Sequence, residues 1–331
     1  MLPALALRCH GGLPPKDCVT QAVAAERAGF STVWFAENPF SRGAWPAAAA
    51  CAVATHHIRI GLGVFNPYLR HPTLMAMEMA AFDDLCEGRA VLGVGAGIPS
   101  RIKKTHAPAD RPVAAVRDAV TIARGLLHGE AVTYTGKAFS ADGVRLDFSP
   151  RRPDLPILTA AMGDQALRLC GEIADGVIIS NLVPPAFTRR AVGIIGEAAA
   201  RAGREPPREV VQYVPCAVRE DGDEARRLAK RSVAPMLRAY LETASAATRA
   251  AMSGYGRTDD FARAMERLGR GESPEGTIDD RLLAEYAIAG TPDECLAQCR
   301  QYGDSGVTEL GIGFIGERGG EDIARLGRAL G

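Results

Sequence analysis

The sequence carries no excess of charge of either sign: 39 lysines and arginines are matched by 39 aspartates and glutamates. Without a basic surplus there is no electrostatic footprint for nucleic acid or an anionic membrane, so the expected partners are small molecules or copies of the chain itself. The 8 cysteines are scattered and lack the paired spacing of a metal knuckle. Cys295 and Cys299 sit one helical turn apart, which suits buried packing, and the whole set reads as free thiols in a reducing compartment. No stretch approaches the roughly 18 uninterrupted apolar residues of a membrane span. The start MLPALALRCHGG lacks a basic stretch followed by a long apolar core. A cytoplasmic protein is expected.

What is present is a rhythm. Short apolar runs alternate with longer amphipathic segments from end to end, the pattern of strand and helix units around a parallel sheet. The strands expected are 4–8, 31–36, 58–65, 90–95, 156–161, 176–181, 210–218 and 308–314. Helices are expected over 15–28, 46–55, 72–86, 112–128, 164–174, 185–202 and 221–240, with a last one from 320. Two stretches break the alternation. Residues 133–148 read as an inserted hairpin. Residues 241–290 are helical and polar, leading into a helix with Thr291 as N-cap and Pro292 as its first residue.

Eight such units close on themselves, and 331 residues suit one barrel with insertions, a fold of roughly 250 residues or more. The fold class expected is therefore α/β, a (β/α)8 TIM barrel forming a single domain over 1–331. An open dinucleotide-binding sheet is disfavoured, because GVGAGI places Ile98 where the fingerprint needs Gly or Ala. A closed parallel barrel puts its chemistry at the carboxyl ends of its strands. Those ends supply His10, Glu37, Asn38, Asn66, Gly97, Met162, Ser180, Asn181 and Tyr213, among others. The set is poor in histidine and has no adjacent carboxylates of metal-binding type, which argues against metal-assisted hydrolysis. No local motif suggests an activated Ser or Cys nucleophile.

The third strand end is unusually crowded: GLGVFNPYLRHP swerves before Pro67, which has no amide hydrogen for a sheet ladder, and Gly63 eases the bend. Together with CEGRAVLGVGAG (86–97) and AAMGDQALRLCGEIADGVIISN (160–181), this segment resembles the bacterial-luciferase-like oxidoreductases. The similarity is greatest to the branch typified by methylenetetrahydromethanopterin reductase, which uses the deazaflavin coenzyme F420, and it runs over nearly the whole chain.

The resemblance implies a bulge on the third strand with a non-prolyl cis peptide at Gly63-Val64 behind the deazaflavin ring. It implies that Asn66 contacts the ring system and that Ala96 and Gly97 form a cofactor-contacting turn. Met162, Gly163, Gln165 and Ala166 match the stretch that holds the cofactor phosphate, where free amides at a helix start make an anion site. Arg70 and His71 belong to a family hallmark, and Arg89 is expected to fix the turn into the fourth strand.

Glu37 and Asn38 are the catalytic candidates. They occupy positions where relatives carry an acid and, in the sugar-phosphate and alcohol dehydrogenase branches, a histidine for proton transfer. Asparagine is no base, and Ile98 stands where some branches place a glutamate donor. Arg101, with Lys103 and Lys104, offers a basic cluster suited to an anionic cofactor tail.

The function implied is F420-dependent hydride transfer to or from an organic substrate, chemistry that asks little of side chains beyond positioning and a dry pocket. FMN-dependent monooxygenase chemistry and non-catalytic flavin or deazaflavin binding are the alternatives. A homodimer is expected through the helix at 46–55 and the one starting at Pro72. The 241–290 insertion is expected to shape the substrate side.

Overall fold

The computed structural model describes residues 1–316 and 318–330. Eleven strands run in chain order as β1 (Ala4–Cys9), β2 (Thr32–Phe35), β3 (Arg59–Phe65), β4 (Ala90–Val94), β5 (Val132–Thr135), β6 (Ser140–Val144), β7 (Ile157–Ala160), β8 (Gly176–Ile179), β9 (Glu209–Val218), β10 (Ile288–Gly290) and β11 (Glu309–Phe314). Eight of them pair in parallel in the order β1-β2-β3-β4-β7-β8-β9-β11. The ring closes where Ala4 of β1 meets Glu309 of β11. This is the (β/α)8 barrel expected from the alternation, with its eight strands where the apolar runs lie.

The two insertions are also in place. β5 and β6 form an antiparallel hairpin, and residues 246–283 fold into four helices. A short strand, β10, was not expected inside the second insertion; it pairs with Cys216–Val218, the overhang of the long β9 beyond the barrel. Thr291 caps the following helix with a full capping box closed by Glu294, and Pro292 begins it, as the sequence pattern requires. The basic cluster of Arg101, Lys103 and Lys104 lies on a short helical turn over Pro99–Ile102 and a 3-10 turn over Lys103–Thr105. All eight cysteines are buried free thiols. Among the described residues, no helix is long and apolar enough to cross a membrane, and no cluster of three or more metal-type ligands occurs.

The barrel interior is filled from its amino-terminal end. Trp34 lies in the centre, fully buried, against Ala6, Val91, Leu158, Ile178, Val211 and Tyr213. A Cβ at Gly61 would fall inside the indole, and one at Gly63 would come within 3.0 Å of it, so both glycines are spaces that the ring occupies. The indole Nε1 donates to Glu309 at 2.6 Å, and the same carboxylate accepts from Ser31, Thr32 and Arg59 at 2.6, 2.8 and 3.1 Å. A buried carboxylate is tolerable only when its lone pairs are met in this way.

Replacing Glu309 by glutamine swaps an anionic acceptor for an amide that must turn a donor toward this ring of donors. Glu309→Gln is expected to lower unfolding stability by about 2 kcal/mol, in the range of hydrogen bonds to charged groups. Urea denaturation checks this, and an unchanged midpoint would remove Glu309 from the interactions that hold the floor.

Candidate active site

With the amino-terminal half plugged, the free space lies at the carboxyl ends of the strands: one cavity of about 620 Å³, walled chiefly by apolar side chains. Its volume is that of a site for a cofactor-sized ligand.

The third-strand wall is built by a slip in register. Gly63 pairs with Gly93 and Phe65 with Val94, so Val64 is an extra residue pushed out of the ladder, and the Gly63-Val64 peptide is cis. Val64 lines the cavity. Gly63 does not: its open side faces Trp34 and Ile178, and its carbonyl accepts from the Tyr213 hydroxyl at 3.2 Å. Of the two residues expected at the cofactor-binding bulge, Val64 therefore lines the cavity and Gly63 stands behind it. Burial pushes the Tyr213 phenol well above its ordinary pKa, which keeps it a donor to that carbonyl.

Asn66 lines the cavity just past the bulge, and its Oδ1 accepts from Leu69 N at 3.0 Å, which spends that atom on the local turn. Ala96 and Gly97 line it beside Asn66. Gly97 has φ of 72°, where a side chain is strained, and a Cβ there would press on Ile102 at 2.8 Å.

Arg101 is the second correction. It does not reach the cavity; its guanidinium donates to the Pro39 carbonyl at 3.0 Å and pins the loop after β2. Lys103 and Lys104 are exposed. The basic run reads as a clamp because Ile102, packed inward, turns its charged neighbours away.

That pinned loop carries Glu37 and Asn38, both at the cavity wall. Both Glu37 oxygens accept from Arg70 Nη1, at 2.8 and 3.0 Å. Arg70 also pairs with Glu78 at 2.7 Å and lies over the Phe65 ring at 4.5 Å. His71 caps the helix Pro72–Leu85, so both members of the hallmark run are scaffolding, and Glu37 is an oriented half of an ion pair. Asn38 differs: its Oδ1 is buried and has no hydrogen-bond partner. Arg89 donates to Thr55, Ile58 and Ala52, closing the end of the helix Ala44–Ala54 and fixing the turn as expected.

On the far wall, Met162, Gly163, Gln165 and Ala166 line the cavity where β7 gives way to the helix Asp164–Ile173. The first helical bond runs from Leu167 N to the Gly163 carbonyl. The amides of Asp164, Gln165 and Ala166 therefore have no acceptor within the helix. Asp164 places a negative charge beside them, but Arg190 holds its carboxyl through two bonds of 2.8 Å, below the ordinary carboxylate range, and neutralises it.

Reasoning from strand ends alone missed two parts of the wall. Arg8 lies within β1, two residues before His10, and both line the cavity; an arginine in ALALRCH at the inward alternation of a buried strand is the signal that pointed to it. His10 Nδ1 accepts from Gly12 N at 3.1 Å, and burial together with Arg8 lowers its pKa, so the ring is neutral near pH 7 with its proton on Nε2. The roof is the second part: Tyr240, Thr243, Ser245 and Thr248, at the entry to the second insertion. The Tyr240 hydroxyl donates to Asn181 Oδ1 at 3.0 Å, and Ser100 donates to the Thr243 carbonyl at 3.1 Å, tying the roof to the walls.

Comparison with known proteins follows the same lines. The 5,10-methylenetetrahydromethanopterin reductase of Methanolobus tindarius is 29% identical over 314 residues, covering 92% of this chain and 93% of its own. The enzyme of the same name from Archaeoglobus fulgidus is 29% identical over 315 residues, covering 92% of each. The solved coenzyme F420-dependent tetrahydromethanopterin reductase from Methanopyrus kandleri matches with a TM-score of 0.85 at 25% identity, over 99% of this chain and 98% of its own. A family model described as luciferase-like monooxygenase matches residues 4–309, and the chain belongs to that family.

Proposed function

We propose that the protein is an F420-dependent oxidoreductase acting on an organic substrate held in the 620 Å³ cavity. The observation that supports this most is the pairing of an apolar wall at the Val64 bulge with main-chain donors at the start of the helix Asp164–Ile173. A flat apolar ring fits the first, and an anionic tail fits the second. The orphaned Asn38 Oδ1 is the donor-seeking atom such a polar heterocycle satisfies. The two reductases of the same name, covered nearly end to end, favour F420 over FMN.

When bound, the deazaflavin supplies two-electron hydride chemistry at one ring carbon. The chain's part is positional. Val64 would back the ring, with Tyr213 holding the Gly63 carbonyl behind it. Asn66, Ala96 and Gly97, which line the cavity beside Val64, would border the ring, and Met162, Gly163, Gln165 and Ala166 would hold the tail. Arg70 fixes Glu37 so that its carboxylate orients ligand groups at the rim. Asn38 cannot move a proton and serves as a hydrogen-bonding wall. The roof from Tyr240 to Thr248 excludes water from the reacting face.

Fluorescence titration separates the cofactors. F420 is expected to bind at micromolar concentration or tighter, with FMN bound at least tenfold more weakly; quenching by FMN alone moves the protein to the flavin monooxygenases. The tail site has its own test. Gln165→Glu places a negative charge among the free amides, where it competes with an anionic tail for a helix start that favours anions by about 1 kcal/mol. F420 affinity should fall about three- to tenfold, with no change for the chromophore lacking its phosphate tail. Equal effects on both ligands would take the tail away from this helix.

A homodimer completes the reading. Leu74, Met77 and Leu85 are 48%, 41% and 46% exposed at helical spacing on Pro72–Leu85, and Val53 on the neighbouring helix Ala44–Ala54 is 68% exposed. Such a stripe on two adjacent helices is an apolar patch that a second copy covers. Sedimentation should give a dimer for the wild type and a monomer for the double variant Leu74→Glu, Met77→Glu; a monomeric wild type removes the proposal.

A further inference from the structure

We infer that Arg8 anchors the carboxylate of an anionic organic substrate, an inference that rests on the oxidoreductase reading and names the substrate class for the same site. Arg8 lines the cavity from β1. Its guanidinium lies over the Tyr213 ring, 4.8 Å from the centroid, and its Nε is sealed from solvent without a hydrogen-bond partner.

Arg89 and Arg101, which have no carboxylate partner among the described residues either, spend their guanidinium groups on carbonyls, and four other arginines of the barrel are paired with acids. Arg59 is held by Glu209 and Glu309, Arg70 by Glu37 and Glu78, Arg152 by Asp83 and Arg219 by Asp322. Among the described residues no carboxylate pairs with Arg8. The buried Glu309 below it is already met by Ser31, Thr32, Trp34 and Arg59. A cation drawn into a barrel without a counter-ion lowers stability, so an arginine held there is poised for an anion that arrives from outside. The planar fork matches a carboxylate through two parallel bonds. His10, two residues along the same face, adds a neutral donor at Nε2.

The cofactor tail is not the anion in question. In the ring order β1-β2-β3-β4-β7-β8-β9-β11, the strand of Arg8 stands opposite β7, whose carboxyl end leads to Gly163 and the free amides. A ring backed by Val64 on β3 would lie between the two and would leave the β1 side of the cavity to the substrate.

The test uses matched probes that differ only in charge: benzoate against benzamide, and crotonate against crotonamide. Each is titrated calorimetrically into the free protein and into protein loaded with F420. The acids are expected to bind at least tenfold more tightly than the amides in the wild type. That preference should vanish in Arg8→Met and survive in part in Arg8→Lys, with F420 affinity the same in all three. Three results overturn the inference: equal binding of acid and amide, no binding of either acid, or an acid preference that persists in Arg8→Met. A tenfold loss of F420 affinity in Arg8→Met also overturns it, by assigning the guanidinium to the cofactor. Should Arg8→Met fail to fold, Arg8→Gln takes its place, with the same loss of acid preference expected. Failure of the wild type to bind F420 sinks the oxidoreductase reading, while the acid and amide comparison between free wild type and its Arg8 variants still decides what Arg8 receives.

Discussion

The hydrogen bond from the Trp34 indole to Glu309 sets where this protein can bind anything. A barrel of eight strands has an interior just wide enough for side chains to fill it. Here one indole fills the middle, because Gly61 and Gly63 leave it room. The carboxylate beneath the indole has its lone pairs met by four groups from two strands and a loop, so it is buried without being orphaned. Everything above that layer is open. The cavity floor, the bulge at Val64 and the position of Tyr213 all follow from the height at which the indole stops.

The cavity's charges are arranged so that most are already spent. Glu37 is occupied by Arg70, Asp164 by Arg190, and His10 is neutral. What remains for a ligand are main-chain amides on one wall, and the Asn38 side-chain Oδ1 and the Arg8 guanidinium on the opposite side. Such a site binds and orients well and transfers protons poorly. Hydride chemistry on a bound heterocycle makes that bargain workable, since the cofactor carries the reactive atom and the protein supplies placement and exclusion of water.

Much of this was legible in the sequence because it is local. A glycine pair followed by Asn66-Pro67 announces a strand that must leave its ladder, and Thr291-Pro292 with Glu294 announces a capped helix start. The strand and helix alternation gave the barrel for the same reason, as periodicity is written residue by residue. The misses are tertiary. Arg101 belongs to a basic run, and only the inward packing of Ile102 shows that its guanidinium turns to Pro39 instead of the cavity. Gly63 was legible as the bend, but that Val64 alone of the pair lines the cavity depends on where Trp34 lies. Arg8 escaped because reading strand ends selects residues after the last apolar position, whereas an inward residue within the strand also reaches the mouth.

The roof shows why the scaffold and the substrate are set by different parts of the chain. The walls come from strands whose register is fixed by the barrel, and a one-residue slip there would exchange core for surface throughout. The segment from Tyr240 to Thr248 carries no such constraint: it begins an insertion, and it is fastened to the barrel by the Tyr240 bond to Asn181 and the Ser100 bond to the Thr243 carbonyl. Side chains between those fastenings can change shape and polarity without disturbing the indole floor or the helix start that faces it. A binding wall that is rigid and a roof that is replaceable let one barrel keep its ring-shaped slot while the molecule above the ring varies, and the guanidinium at the β1 side is the fixed polar feature that such a molecule must accommodate.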